Sequence, residues 1–178
     1  MEKPIPSYYH TESERLIFRS IQSTDYKFWA PFFVNNPTQK YVGADQYPFS
    51  PEAKAQNWLN KQTERKENNT YGQLAVIEKS TGNFIGVGGI IEREINGSPE
   101  FEITYSLLPS VWGNGYATEL AIFFRHFAFN NIATDSVISM IHKENQASIN
   151  VAIKNGMQIS GETEFMNMSL YIYRISNT

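Results

Sequence analysis

The stretch SVWGNGYATELAIFFRHFAF, Ser110–Phe129, places two glycines one residue apart just ahead of a run with helical spacing of apolar residues. Ala117, Leu120, Ala121, Phe124 and Phe127 fall at i, i+3, i+4, i+7 and i+10, the stripe a helix turns toward a core. Glycine is costly to order, and Pro109-Ser110 already supplies a turn. A helix starting at or near Gly115 would present main-chain N–H groups without intrahelical partners at the positive end of its dipole. That end suits an anion such as a phosphate. A plain strand-to-helix turn would use the same two glycines, and both readings stand at this point.

Working outward, Arg15–Ile21 (RLIFRSI) alternates like a first strand, and Ser23 or Thr24 precedes an aromatic helical run. SPEAKAQNWLNKQTERKEN has Ser50 as N-cap and Pro51 at the first helical position. After Asn69, two β-rich runs joined by KSTGN and a third, Phe101–Leu107, read as an antiparallel meander. Ser136–His142 follows the glycine helix as a buried strand. Next come a short helix from about Asn145 to Asn155, closed by Gly156, and strands around Met157–Glu162 and Met166–Ile175. No repeat, linker or low-complexity tract interrupts the chain, so one α+β domain over 1–178 with a central mixed sheet is expected.

Composition narrows the function. At 178 residues with 41% hydrophobic and 19% charged side chains, the chain can build an ordinary core. It has no cysteine, which removes disulfides and thiolate chemistry and fits a reducing compartment, so a cytoplasmic location is expected. No secretory leader or run of about 18 apolar residues is seen, so a soluble protein without membrane contact is expected. The net charge is −3, and Lys61, Arg65 and Lys66 alternate with Glu64 and Glu67, so no basic face favours nucleic acid. His10, His126 and His142 lack metal-ligand spacing, and no metal is expected. No lysine follows the glycines as a P-loop requires, and Thr118 stands where a dinucleotide fold needs its third glycine. G-x-S-x-G is absent, which leaves a hydrolase triad without its elbow.

The segment EITYSLLPSVWGNGYATELA resembles the acetyl-CoA site of the GNAT N-acetyltransferase superfamily. More narrowly, it resembles the branch containing the ribosomal-protein N-terminal acetyltransferases, which reads E-I-G-Y followed by L-x-P-x-x-W-G-x-G-Y-A-T-E-A. NQASINVAIKNGM, SERLIFRSI and TGNFIGVGGI resemble further blocks, so the likeness covers most of Arg15 to Ile175. It implies a mixed, mostly antiparallel sheet of about six or seven strands flanked by about four helices. It also implies acetyl-CoA as co-substrate, with amides of roughly Gly113 to Thr118 holding its diphosphate. The cofactor set is then Leu107, Trp112, Gly113, Asn114, Gly115, Tyr116, Ala117, Thr118, Asn145 and Ser148. Trp112 stands where the general superfamily signature carries Gln or Arg, so no amide or guanidinium side chain assists there.

Acetyl transfer to an amine needs a base, a donor to the thioester carbonyl and a proton for the leaving thiolate. Glu102 matches the Glu of E-I-G-Y and is the candidate base; a surface glutamate beside Glu100 is the plainer reading. Strand alternation sets Glu102, Thr104 and Ser106 opposite Phe101, Ile103 and Tyr105. The tyrosine acid of many superfamily members is replaced by Ala152, which leaves Ser148 as candidate donor to the thiolate. Asn145 could cap its helix, touch the coenzyme, or do both. In this family the early helices and their loop wall the acceptor pocket. Two or three of Trp29, Phe32, Phe33, Tyr41, Tyr47, Phe49 and Trp58 are therefore expected to touch the acceptor. That acceptor is a small-molecule or peptide amine: a protein N-terminus, aminoglycoside, polyamine or metabolite. A coenzyme-binding sensor without turnover is the alternative, motivated by Thr104 and Ala152. The terminal strands are candidates for a homodimer contact.

Overall fold

The computed structural model describes residues 3–177. Eight strands form one sheet in the order β1-β2-β3-β4-β5-β6-β8-β7. They are β1 (His10–Glu12), β2 (Leu16–Arg19), β3 (Gln73–Glu78), β4 (Phe84–Ile95), β5 (Ser98–Leu107), β6 (Ser136–His142), β7 (Gln158–Phe165) and β8 (Met168–Ser176). Every neighbouring pair is antiparallel except β5 and β6. The expected strand count is therefore exceeded slightly. β1 has only three residues, too few for alternation to reveal, and is held through pairs such as Thr11 with Phe18.

Among the described residues four α-helices cover the two faces: α1 (Tyr26–Trp29), α2 (Pro51–Glu67), α3 (Tyr116–Asn131) and α4 (Gln146–Lys154). On one face Leu120, Ala121, Phe124 and Phe127 of α3, with Ala152 of α4, bury against Phe18, Leu74, Ile90, Ile103 and Tyr173. The apolar stripe seen in the sequence is the contact made. On the other face Trp29, Phe32, Phe33, Ala55 and Leu59 pack over Ala75, Ile77 and Val87. The aromatic run after Thr24 makes only one α-helical turn before a 3₁₀ turn, Ala30–Phe33, because Pro31 lacks the N–H that a continuing helix needs. α2 starts as its sequence indicates, with Ser50 Oγ accepting from the Ala53 N–H at 3.2 Å and Pro51 next. Among the described residues no helix is long and apolar enough to cross a membrane.

The parallel junction positions the site. β5 and β6 register only at Glu102 and Ile138, and no ladder continues from that pair. Side chains replace the lost ladder: Ser139 Oγ donates to the Ile103 carbonyl at 2.8 Å, and Glu102 Oε1 accepts from the Met140 N–H at 3.4 Å. In an extended strand the N–H and C=O of one residue point to the same edge and alternate along the chain. Because the Ile103 carbonyl faces β6, the N–H and C=O of Tyr105 face the gap as well.

Candidate active site

The gap opens into a cavity of about 670 Å³ whose wall includes Glu102, Tyr105, Ser139, His142, Asn145 and Ser148. It extends over α2 and the segment before it, where Phe33, Tyr41, Tyr47, Phe49 and Trp58 also line it. Of the early aromatics, Trp29 and Phe32 belong to the core instead.

Glu102 is buried, 5% exposed, with Oε2 accepting from Arg93 Nε at 2.7 Å. The Arg93 guanidinium in turn lies 4.8 Å from the centre of the Phe165 ring. This carboxylate is thus held in one orientation inside a cavity and is not a solvated surface glutamate beside Glu100. Glu100 is occupied elsewhere, in an ion pair with Arg174. The alternation expected along β5 holds: Phe101, Ile103 and Leu107 enter the core packed under α3, while Thr104 Oγ1 accepts from Gln73 Nε2 at 3.0 Å on the opposite face. Gln73 Oε1 accepts from Trp58 Nε1 at 2.6 Å. This relay ties the cavity floor to α2.

At the far end, Asn145 Oδ1 caps α4 by accepting from the Ser148 N–H at 3.2 Å. The Tyr105 hydroxyl donates to the Ser148 carbonyl at 3.2 Å. Burial pushes the Tyr105 phenol well above its ordinary range, the hydrogen bond to Ser148 opposing and the Glu102 charge reinforcing that shift. Tyr105 is therefore a neutral donor at physiological pH. Sequence reasoning placed it on the core face and missed that its hydroxyl reaches α4; the signal was its place three residues after Glu102. Ala152, at the usual tyrosine position, is buried on the core-facing side of α4.

The glycine loop lies outside this cavity, at the start of α3. Gly113 and Gly115 both take left-handed backbone, φ +81° and +80°, which other residues adopt at a cost. Gly115 is the N-cap and has no side chain to cap with, whereas α2 and α4 are capped by Ser50 and Asn145. Among the described residues no protein acceptor meets the amides of Gly113 to Thr118; the first bond of the helix runs from the Glu119 N–H to the Gly115 carbonyl. A methyl group added at Gly113 would meet no atom within 4 Å. The space over the loop is open, and its donors fit a diphosphate.

Other members of the expected cofactor set support the loop. Trp112 Nε1 donates to the Leu107 carbonyl at 2.8 Å, and Asn114 Nδ2 donates to the Val111 carbonyl at 3.0 Å. The Leu107 side chain sits in the core. Tyr116 donates a short hydrogen bond to Glu78. Arg15 was not singled out from the sequence, yet it clasps the loop. Its Nη1 donates to the Asn114 carbonyl at 3.0 Å, its Nε pairs with Glu119 at 2.7 Å, and its guanidinium lies 4.5 Å from the Tyr116 ring centre. Burial would raise the Glu119 carboxyl, but hydrogen bonds from Ser13 and Arg15 outweigh it and hold the group below its ordinary range. Only folding brings Arg15 across 99 residues of sequence to Asn114. No group of three or more His, Cys, Asp or Glu side chains among the described residues is placed to hold a metal ion.

The profile of the acetyltransferase (GNAT) domain matches residues 15–158. The chain belongs to the GNAT acetyltransferase family. A relative of this GNAT protein, YkkB of Bacillus subtilis (strain 168), is 34% identical over 117 residues, 65% of this chain and 67% of YkkB. An acetyltransferase from Agrobacterium tumefaciens str. C58 shares the fold at a TM-score of 0.78 and 23% identity, covering 99% of this chain and 98% of that one. RimL, the ribosomal L7/L12 alpha-N-protein acetyltransferase, was solved in complex with coenzyme A. It aligns with a TM-score of 0.72 and 19% identity over 92% of this chain and 95% of its own.

Proposed function

We propose that this GNAT protein transfers the acetyl group of acetyl-CoA to a primary amine by direct attack within a ternary complex. The observation that carries the reading is the pairing of two features: a helix start whose amides have no protein acceptor, and a cavity that joins Glu102 to Ser148. Amides of Gly113 to Thr118 hold the diphosphate, each charge-assisted bond contributing about 1.5–3 kcal/mol. Arg15 fixes the loop through the Asn114 carbonyl. Asn145 and Ser148 lie along the gap where the pantetheine arm passes toward the cavity.

When bound, acetyl-CoA supplies a thioester carbonyl. The Tyr105 amide, turned into the gap, donates to that oxygen. Glu102 takes the ammonium proton of the acceptor directly or through a water, so that a neutral nitrogen attacks. A carbon–nitrogen bond forms, the carbon–sulfur bond breaks, and the extra proton left on the nitrogen passes by way of solvent to the thiolate, which leaves as the thiol. The departing sulfur accepts a hydrogen bond from the Ser148 hydroxyl, while the Tyr105 phenol, whose one proton goes to the Ser148 carbonyl, holds the first turn of α4 against β5. The two substrates meet without an acyl-enzyme, as suits a chain with no cysteine.

Two measurements test this together. Acetyl-CoA at 100-fold excess over its Kd is expected to stabilise the fold by about 2.7 kcal/mol and raise the unfolding midpoint by roughly 5–10 °C. An amine panel containing peptides, amino acids, polyamines and aminoglycosides is expected to yield acetylated product. Coenzyme binding with no product from any amine supports the sensor alternative and refutes turnover.

A further inference from the structure

Arg65 is the last-turn arginine of α2, and it lines the cavity together with Arg93 and Glu102. Arg93 has Glu102 as its ion partner. Arg65 has no such partner: among the described residues its guanidinium makes no ion pair, and Nη1 donates only to the neutral Gln62 Oε1 at 3.1 Å. That amide oxygen already accepts from the Gln73 N–H at 2.9 Å. Burial and then repulsion from Arg93 both lower the Arg65 guanidinium from its ordinary range, with Glu102 and Glu64 opposing them. Two guanidinium charges thus face one buried carboxylate. The imbalance extends along the wall, where Lys54 and Lys61 join the two arginines against only Glu64 and Glu102. A half-buried cation without a counter-ion is costly unless a ligand supplies one.

We infer that the acceptor is an amine carrying a carboxylate, whose negative charge pairs with Arg65 while its nitrogen is presented to Glu102. One unbalanced guanidinium calls for a single negative charge, which a carboxylate supplies in the two-pronged geometry that arginine favours. A polyamine or aminoglycoside would instead bring further positive charge against this wall. The inference rests on the acetyl-transfer reading and narrows it. A free amino acid and a peptide with an acidic residue next to its N-terminus present the same chemistry.

The test compares matched acceptors that differ only in the charge: leucine against leucinamide, and Ser-Asp-Ala amide against Ser-Asn-Ala amide. The amide of an amino acid has the less basic nitrogen and so the larger neutral fraction, which biases the first pair against the inference. Wild-type protein is expected to favour a carboxylate member by about ten- to a hundredfold in kcat/KM. A preference within the first pair identifies a free amino acid, and one within the second an acidic peptide. Arg65→Gln is expected to collapse that ratio toward one, with the change mainly in KM, and Arg65→Lys to restore part of it. Thermal unfolding of each variant separates loss of recognition from loss of fold. Turnover without discrimination in the wild type, or a ratio that survives Arg65→Gln in folded protein, overturns the inference alone. Absence of turnover with all four acceptors overturns the acetyl-transfer reading, and the inference with it.

Discussion

Replacing Gly113 by alanine separates the conformational role of the loop from its binding role. The residue sits at φ +81°, and its new methyl would meet nothing within 4 Å, so the cost in the free protein is conformational strain without a clash. A left-handed non-glycine residue costs roughly 1–2 kcal/mol. For a chain of this length that lowers the unfolding midpoint by about 2–8 °C. Gly82, in the turn between β3 and β4, supplies the control. It has φ +72°, and its methyl likewise meets nothing within 4 Å. Gly82→Ala and Gly113→Ala are therefore expected to lose similar stability without ligand.

With acetyl-CoA the two should part. The methyl at Gly113 stands in the space through which a diphosphate approaches the free amides, so about one charge-assisted hydrogen bond is lost and Kd rises about tenfold or more. At a concentration equal to 100 times the wild-type Kd, ligand stabilisation falls from about 2.7 to about 1.4 kcal/mol. The ligand-induced rise in midpoint then drops from roughly 5–10 °C to roughly 3–6 °C. Differential scanning fluorimetry with a coenzyme titration measures both quantities. If Gly113→Ala and Gly82→Ala show the same ligand-induced rise, the loop amides do not hold the coenzyme.

Glu102→Gln keeps the cavity's shape but removes the proposed base, and kcat is expected to fall by about 10²–10⁴-fold in steady-state assays; an unchanged kcat assigns the proton to another group. Ser148→Ala is expected to lower kcat more than KM if its hydroxyl meets the sulfur as charge develops, as proposed; equal changes in both would contradict that role. Tyr105→Phe removes the bond to the Ser148 carbonyl, with an expected loss of about 0.5–1.5 kcal/mol in denaturant melts and a further reduction in kcat. Glu119 titrates below its ordinary value of 4.5 in the fold, so its contribution is full above that pH and lost as pH falls through the lowered value. The stability gap between wild type and Glu119→Gln should accordingly be widest near neutrality and close in acid; a gap independent of pH would show that the Arg15 clasp adds nothing through charge.

Much of the architecture was legible because it rests on local patterns. The α3 stripe, the Ser50-Pro51 start of α2 and the Ser136–His142 strand each follow from short-range periodicity or capping chemistry, and the fold uses them as read. β1 escaped notice because three residues hold no period, and the aromatic run after Thr24 shortened because one proline outweighed its helical spacing. Within the site, Glu102 could be singled out by its motif. Its burial and its pairing with Arg93 could not, because Arg93 reaches it across the β4–β5 pairing in which Ile91 lies opposite Glu102.

The sequence by itself marked which amides lack a local cap at the start of α3, since two glycines bring no capping side chain; that no other group of the described residues accepts from them was decided by the fold. It also settled that no cysteine thiol of this chain takes part. Only the tertiary structure decided where charge would be left over. Arg15 reached the glycine loop, Tyr105 reached Ser148, and Arg65 came to face Arg93 and Glu102 without an ion pair of its own among the described residues. Each depends on strands and helices distant in sequence meeting around one split in the sheet, and no local propensity encodes that meeting.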